Sequence, residues 1–136
     1  MAAKVIVNCD GASRGNPGKA SIGIVVWDVN RNVLDEHKEK IGVTTNNIAE
    51  YNSLLSALDI ASDHTHGEVQ VYMDSEVVIR QMKGEYRVKK PHLRKLYDEV
   101  KDKESMFMAV IYSNVPRDDR YQAEADRLAN EALDGI

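Results

Sequence analysis

The stretch that most constrains the fold is a β-rich run closing on a lone carboxylate, Lys4-Val-Ile-Val-Asn-Cys-Asp10. Gly11-Ala-Ser-Arg-Gly-Asn-Pro-Gly18 follows at once, with three glycines and a proline in eight residues. Valine and isoleucine suit a pleated, buried surface, whereas glycine, asparagine and proline turn the chain. Asp10 is thereby placed at the carboxyl end of a buried strand, where open α/β sheets hold their ligands. An aspartate capping a tight turn would account for the same residues with no site at all. This stretch alone leaves both readings open.

The periodicities downstream supply the frame. Ile22, Ile24 and Val26 alternate with Gly23, Val25 and Trp27, which predicts a strand covered on both faces. Asn30-Arg31 turns the chain into a third strand over 33–41. Its Asp35, Glu36, Lys38, Glu39 and Lys40 suit an exposed edge. After residues 42–47 comes a helix with Ile48, Tyr51, Leu55 and Leu58 on one face, widened by Leu54 and Ala61. His64-Thr-His-Gly67 closes it, and 69–73 is a short buried strand ending on Asp74. Helices are predicted over 75–83, stopped by Gly84, and over 91–103, with a last strand over 107–113. The final helix, 121–133, buries Ala125, Leu128, Ala129, Ala132 and Leu133. The order βββαβααβα predicts an α/β fold on a mixed five-stranded sheet with helices on both faces. Three antiparallel strands come first, then two that arrive by helical crossovers and run parallel to the first.

At 136 residues the chain reads as one domain, large enough to bury a core without staples. No apolar run is long enough to span a bilayer, and the strand pattern begins within four residues, leaving no room for a signal peptide. The single cysteine, Cys9, excludes an internal disulfide and suits a reducing compartment, so a cytoplasmic protein is expected. The net charge of −4, from 18 basic and 22 acidic residues, does not mark a nucleic-acid binder. It does not exclude one either, since metal sites concentrate carboxylates and a local basic strip can still follow phosphates.

Four carboxylates occupy distinctive addresses. Asp10 and Asp74 end two strands expected to be parallel neighbours, which brings both to one edge of the sheet. Glu50 lies in the first turn of the first helix, and Asp126 near the start of the last. Each also has a purely structural explanation. Asn47-Ile-Ala-Glu50 fits a capping box, and Asp74 is a good N-cap for the next helix. Asp126 is harder to account for in that way, because aspartate is a poor helix former beside a buried stripe. Carboxylates brought together repel and need shared protons or bound cations. Oxygen donors without histidine or cysteine favour Mg²⁺ or Mn²⁺ over zinc. Such a cluster suits two ions roughly 3.5–4 Å apart, acting on a phosphodiester.

Four motifs, 10–18, Thr45-Asn-Asn-Ile-Ala-Glu50, Tyr72-Met-Asp-Ser75 and Ala125-Asp-Arg-Leu-Ala-Asn130, together resemble type 1 ribonuclease H in its compact bacterial or archaeal form. The resemblance covers essentially all of 1–136 as a single ribonuclease H-like domain. It implies hydrolysis of the RNA strand of RNA–DNA hybrids, with 5′-phosphate and 3′-hydroxyl products. It also implies that Asp10 bridges two Mg²⁺ ions, with Mn²⁺ a possible substitute. Asp126 would help hold the ion that activates water, and Glu50 and Asp74 would support the leaving-group ion. Asn16, Asn46 and Asn47 would meet the minor groove, where the 2′-hydroxyl marks RNA. Thr45 would meet a DNA phosphate, and Gly11, Ser13 and Ser75 would adjoin the substrate. A monomer with no obligate protein partner is expected.

Many relatives carry a histidine in the loop before the last carboxylate. Here Pro116-Arg-Asp-Asp-Arg-Tyr-Gln-Ala-Glu124 has none, and neither Arg117 nor Arg120 is assigned a catalytic role. The one concentrated basic segment, 83–95, reads alone as a solvated flank. Beside a nuclease site it becomes a DNA-strand contact, with Tyr86 stacking and Arg87, Lys89 and Lys90 on phosphates. Cys9, Trp27, His64 and His66 are read as core or loop residues. Two other functions remain: a non-catalytic hybrid-binding module of the same fold, and a nucleotide-phosphate cradle. The cradle fits poorly, because the glycine turn lacks a lysine-serine/threonine ending and leads into a strand.

Overall fold

The computed structural model describes residues 1–136. Its elements are β1 (Ala2–Gly15), β2 (Gly18–Trp27), β3 (Val33–Thr44), α1 (Asn46–Ala61), β4 (Thr65–Met73), α2 (Glu76–Met82), α3 (Pro91–Glu104), β5 (Ala109–Asn114) and α4 (Gln122–Asp134). They form one sheet in the order β3-β2-β1-β4-β5. The β1–β2 and β2–β3 pairs are antiparallel, and β4 joins β1 and β5 in parallel, as the element order requires. The charged β3 forms one edge. No helix is long and apolar enough to cross a membrane.

Alternation along the central strands sorts the two faces. Val5, Val7, Cys9, Ile22, Ile24 and Val26 point into the main core, under Tyr51, Leu54 and Leu58 of α1. Helices α2 and α3 extend that layer through Val78, Ile79, Leu93 and Val100. On the opposite face, Val25 and Trp27 pack against Leu128 of α4. Leu133, expected in the core, is only half-buried at the end of α4.

The largest departure from the sequence reading concerns Asp10. The first strand does not end there but runs on to Gly15, paired with β2 as far as Gly15–Gly18. Gly11, Ala12 and Ser13 belong to the ladder because β2 supplies partners for them, and only Asn16-Pro17 remains as the turn. What ends near Asp10 is the other partner: the β1–β4 pairing stops at Asn8–Tyr72. His64-Thr-His-Gly67 also divides differently. Ser62 caps α1, whereas Thr65 and Gly67 already belong to β4. Thr65 is buried and donates its hydroxyl to the Ala2 carbonyl at 2.6 Å. A side chain at Gly67 would collide with the Ala3 carbonyl.

Candidate active site

The site forms where β1 outruns β4. Beyond the last Asn8–Tyr72 pair, Asp10 and Asp74 each lie two residues further along adjacent parallel strands, so the register alone brings them side by side. Glu50 arrives from α1 because Gly11 lacks a side chain. A Cβ at Gly11 would lie 2.3 Å from the Ala49 carbonyl carbon, so the helix rests directly on the strand. Glu50 then accepts the Gly11 N–H. Gly23 does the same for α4. It pairs with Asp10 across the ladder, and a Cβ there would lie 2.1 Å from the Ala125 carbonyl oxygen. The next residue of α4 is Asp126.

One oxygen from each of Asp10, Glu50 and Asp74 lies within 4.8 Å of the others. Asp126 stands outside this tight trio but lines the same cavity of about 450 Å³. Its carboxylate is 3.8 Å from the Arg117 guanidinium and takes a 3.3 Å contact from the Asn130 amide. Neither structural alternative for the acids describes the local geometry. Thr45, not an asparagine–glutamate capping box, caps α1 by accepting the Ile48 N–H at 3.4 Å. Ser75, not Asp74, caps α2 by accepting the Val78 N–H at 3.4 Å.

The acids are held in a state that resists ionisation. Burial, then the Glu50 and Asp74 charges, push the Asp10 carboxyl far above the usual carboxylate range. Burial raises Glu50 as well, against the Gly11 N–H, which favours its charged form. Asp74 is raised chiefly by burial, with Arg117 pulling the other way. A cluster of buried acids facing one another is stable as shared protons or as ligands of a cation. All four candidate donors are hard oxygens, with no histidine or cysteine thiolate among them. The set therefore fits a divalent ion of the Mg²⁺ or Mn²⁺ kind. The Cys9 thiol, fully buried beside the acids, is pushed up by burial and has no part in such a site.

The expected substrate contacts fall into three places. Ser13 and Ser75 line the acidic cavity together with Gly11. The Gly11 N–H is taken by Glu50, and the Ser13 hydroxyl donates to the carbonyls of Gly15 and Thr44. Asn16, Thr45, Asn47 and Lys90 line a neighbouring cavity of about 360 Å³, and Asn46 borders both. Asn16 accepts the Asn46 N–H at 3.0 Å, which ties the β1–β2 turn to the start of α1. Tyr86, Arg87 and Lys89 lie apart, around a third cavity. The basic segment is therefore not one strip: Lys90, with His92 and Leu93, faces the asparagines, whereas Tyr86, Arg87 and Lys89 do not. Tyr86 is exposed, and Arg80 lies 5.3 Å from its ring centroid.

Sequence reasoning missed Arg14 and Asn130, which also line the acidic cavity. Asn130 had a usable signal, since it sits four residues after Asp126 and so on the same helix face. It also missed Asn8 and Gln122, both fully buried and hydrogen-bonded to each other. A polar residue between Val7 and Cys9 in a buried strand was the available clue to Asn8.

Comparison with known proteins gives a consistent neighbourhood. The model of the family described as "Reverse transcriptase-like" matches residues 8–132. The chain is 46% identical over 132 residues to the Bifunctional protein Rv2228c of Mycobacterium tuberculosis, covering 96% of this chain but 36% of that protein. It thus spans about a third of that curated relative. The solved N-terminal RNase H domain of Rv2228c superposes with a TM-score of 0.92 at 45% identity, over 98% of this chain and 96% of that one. A Ribonuclease H of Clostridium botulinum is 30% identical over 153 residues, with 96% of each chain covered. LC11-RNase H1, solved in complex with RNA/DNA hybrid, gives a TM-score of 0.88 at 39% identity, over 96% of this chain and 97% of that one.

Proposed function

The chain belongs to the reverse-transcriptase-like family of ribonuclease H proteins, and from that premise we propose that it is a metal-dependent endonuclease cutting the RNA strand of RNA–DNA hybrids. The products are 5′-phosphate and 3′-hydroxyl ends. The observation that carries this reading is the convergence of Asp10, Glu50 and Asp74 from three separate elements, with Asp126 in the same cavity. A binding module gains nothing from burying acids that repel one another.

Asp10, Glu50, Asp74 and Asp126 would hold two Mg²⁺ ions, or Mn²⁺ in their place. Bound there, the ions supply a water activated for in-line attack and neutralise charge on the leaving oxygen. Asp10, beside the other three acids, would contribute to holding both ions. Asp126 would help hold the ion that activates water, and Glu50 and Asp74 would support the leaving-group ion. All four acids come from one chain, so a monomer suffices. The buried Cys9 thiol suits a reducing, cytoplasmic setting.

The hybrid would lie across the two adjoining cavities. Asn16, Asn46 and Asn47 offer short amides to a shallow minor groove, where the 2′-hydroxyl distinguishes RNA. The Thr45 oxygen already accepts the Ile48 N–H, which leaves its own proton to donate to a DNA phosphate. Ser13 and Ser75 border the scissile strand, and Gly11 serves by letting α1 approach. Lys90 would meet a phosphate beside the asparagines, and Arg87 and Lys89 more distant ones, with Tyr86 stacking. Capture of a hybrid by LC11-RNase H1 supports this substrate class.

The test is a hybrid labelled on its RNA strand and incubated with Mg²⁺, Mn²⁺ or EDTA, alongside matched DNA and RNA duplexes. Cutting confined to RNA in the hybrid and dependent on metal is expected. Binding without cutting in either metal would instead make the chain a hybrid-binding module.

A further inference from the structure

The geometry points to Gln122 and Asn8 as a buried pair of positioning residues that fix Asp126 relative to Asp10 and so set the metal affinity of the site. This inference rests on the proposed reading of Asp126 as a metal ligand.

Gln122 is the first residue of α4, one turn before Asp126, and is fully buried. Its amide nitrogen donates to the Cys9 carbonyl at 2.9 Å, immediately before Asp10 in the chain. Its amide oxygen accepts from Asn8 at 3.0 Å. The Asn8 oxygen in turn accepts from the Trp27 indole at 3.0 Å and from the Arg31 guanidinium at 3.0 Å. Every donor in this chain faces an acceptor, so neither amide can flip without setting like groups against each other.

Arg31 is held in place from outside. Its guanidinium lies 3.9 Å from the Tyr121 ring centroid, with Trp27 and Tyr72 at 5.6 and 5.4 Å. The first turn of α4 is fixed a second time by Asp119, whose carboxylate accepts the Tyr121 and Gln122 N–H groups at 3.1 and 3.0 Å.

Apolar packing alone would not fix the register this tightly. Where α4 crosses β2 it rests on Gly23 through backbone and is anchored beyond Asp126 by the Ser21 hydroxyl, which donates to the Ala129 carbonyl at 2.6 Å. The directional hydrogen bonds to Cys9 and Asn8 fix the other side, the turn that leads into Asp126. They matter because Asp126 is the one acid that α4 contributes and it lies against the Asp10 carboxyl, so a small shift of α4 changes whether the two can share an ion.

The test compares Gln122→Met, which keeps length and adds no charge, with Asp119→Ala, which loosens the same turn from the loop. Val100→Ala, in the core under α3, serves as a destabilised control that leaves α4 alone. Mn²⁺ binding is followed by titration calorimetry and hybrid cleavage by metal titration, at a temperature where near-ultraviolet circular dichroism shows each variant folded. Gln122→Met should weaken Mn²⁺ binding at least tenfold with KM for hybrid within twofold, Asp119→Ala should weaken it about threefold, and Val100→Ala should leave it unchanged. If Gln122→Met does not fold, the Asp119→Ala and Val100→Ala comparison decides alone. Parental Mn²⁺ affinity in the folded α4 variants, or equal weakening in Val100→Ala, would overturn the inference. Asp126→Asn separates the two levels. If it binds Mn²⁺ and cleaves as the parent does, the reading of Asp126 has failed; if it is impaired while Gln122→Met is not, only the positioning role has.

Discussion

Gly11 donates its backbone N–H to the Glu50 carboxylate, and its missing side chain is what allows α1 to come close enough for Glu50 to accept it. One residue thus does two things: it opens the space for the helix and supplies the donor that orients the acid. Its neighbour Asp10 is the group on which the other acids converge. The glycine therefore links strand geometry to site chemistry more directly than any turn would.

Gly11→Ala should be costly. The added methyl meets the backbone of Ala49 and Glu50, which cannot rotate away as a side chain could. Overpacking of this kind typically costs about 1–3 kcal/mol, and backbone contact places it at the upper end. Urea denaturation should show that loss, and cleavage under conditions where the variant is folded should fall as Glu50 retreats. A variant as stable and active as the parent would mean that the helix has slack the structure does not show.

How much of this was legible in the sequence depends on which force sets each feature. Burial patterns are local, so the alternation of Ile22, Ile24 and Val26 and the stripe of Tyr51, Leu55 and Leu58 marked their elements well. Strand ends are set by partners. Asp10 read as a terminus because glycines follow it, yet β2 carries the ladder on to Gly15. Caps misled in the same way: Glu50 and Asp74 both fit capping patterns, but Thr45 and Ser75 perform those roles. Gln122 left no local signal and Asn8 only that of a polar residue in a buried run, because they are 114 residues apart and their role exists only as a pair.

Arg117 should tune the acids without being needed for the chemistry. Its guanidinium lies 3.8 Å from Asp126, and its charge lowers both Glu50 and Asp74 against the raising effect of burial. Removing it should therefore raise both groups further and require higher pH for metal binding. In Arg117→Ala the acidic limb of the pH–rate profile should move upward, modestly since the side chain is largely exposed. Arg117→Lys should recover most of the shift. A profile unmoved in the alanine variant would remove Arg117 from the electrostatics of the site.

Lys89 and Lys90 should separate in their effects, because they face different cavities. Lys90 borders the asparagines expected at the hybrid, so Lys90→Ala should weaken binding and reduce the slope of log K against log salt by roughly 0.7–0.9. Lys89→Ala should do the same only if the hybrid extends as far as Tyr86 and Arg87. Fluorescence anisotropy with Ca²⁺ in place of the catalytic metal would measure both slopes. An unchanged slope in the double variant would take the whole segment out of the interface.

Asp10→Asn should abolish cleavage yet stabilise the metal-free protein, and the sign of its pH dependence follows from the buried acids. In the folded chain the Asp10, Glu50 and Asp74 carboxyls are raised above their ordinary values of 3.8, 4.5 and 3.8. Between those values and the raised ones, the native state binds more protons than the unfolded chain. Stability in EDTA therefore declines as pH rises from about 4, by at most ~1.4 kcal/mol per pH unit for each proton retained. Asp10→Asn removes one such proton and part of the repulsion felt by Glu50 and Asp74. Its Tm at pH 8 in EDTA should exceed the parent's by several degrees, since ~1 kcal/mol corresponds to roughly 3–6 °C in a domain this size. Near pH 4, where the parent acid is itself protonated, the difference should shrink. Saturating Mg²⁺ reverses the trend for the parent alone, because the ion holds the carboxylates charged in the native state. Loss of cleavage should exceed ~10³-fold, as expected when a shared metal ligand is removed. Equal Tm values for parent and variant across pH 4–8 in EDTA would show that the acids do not oppose one another in the folded protein.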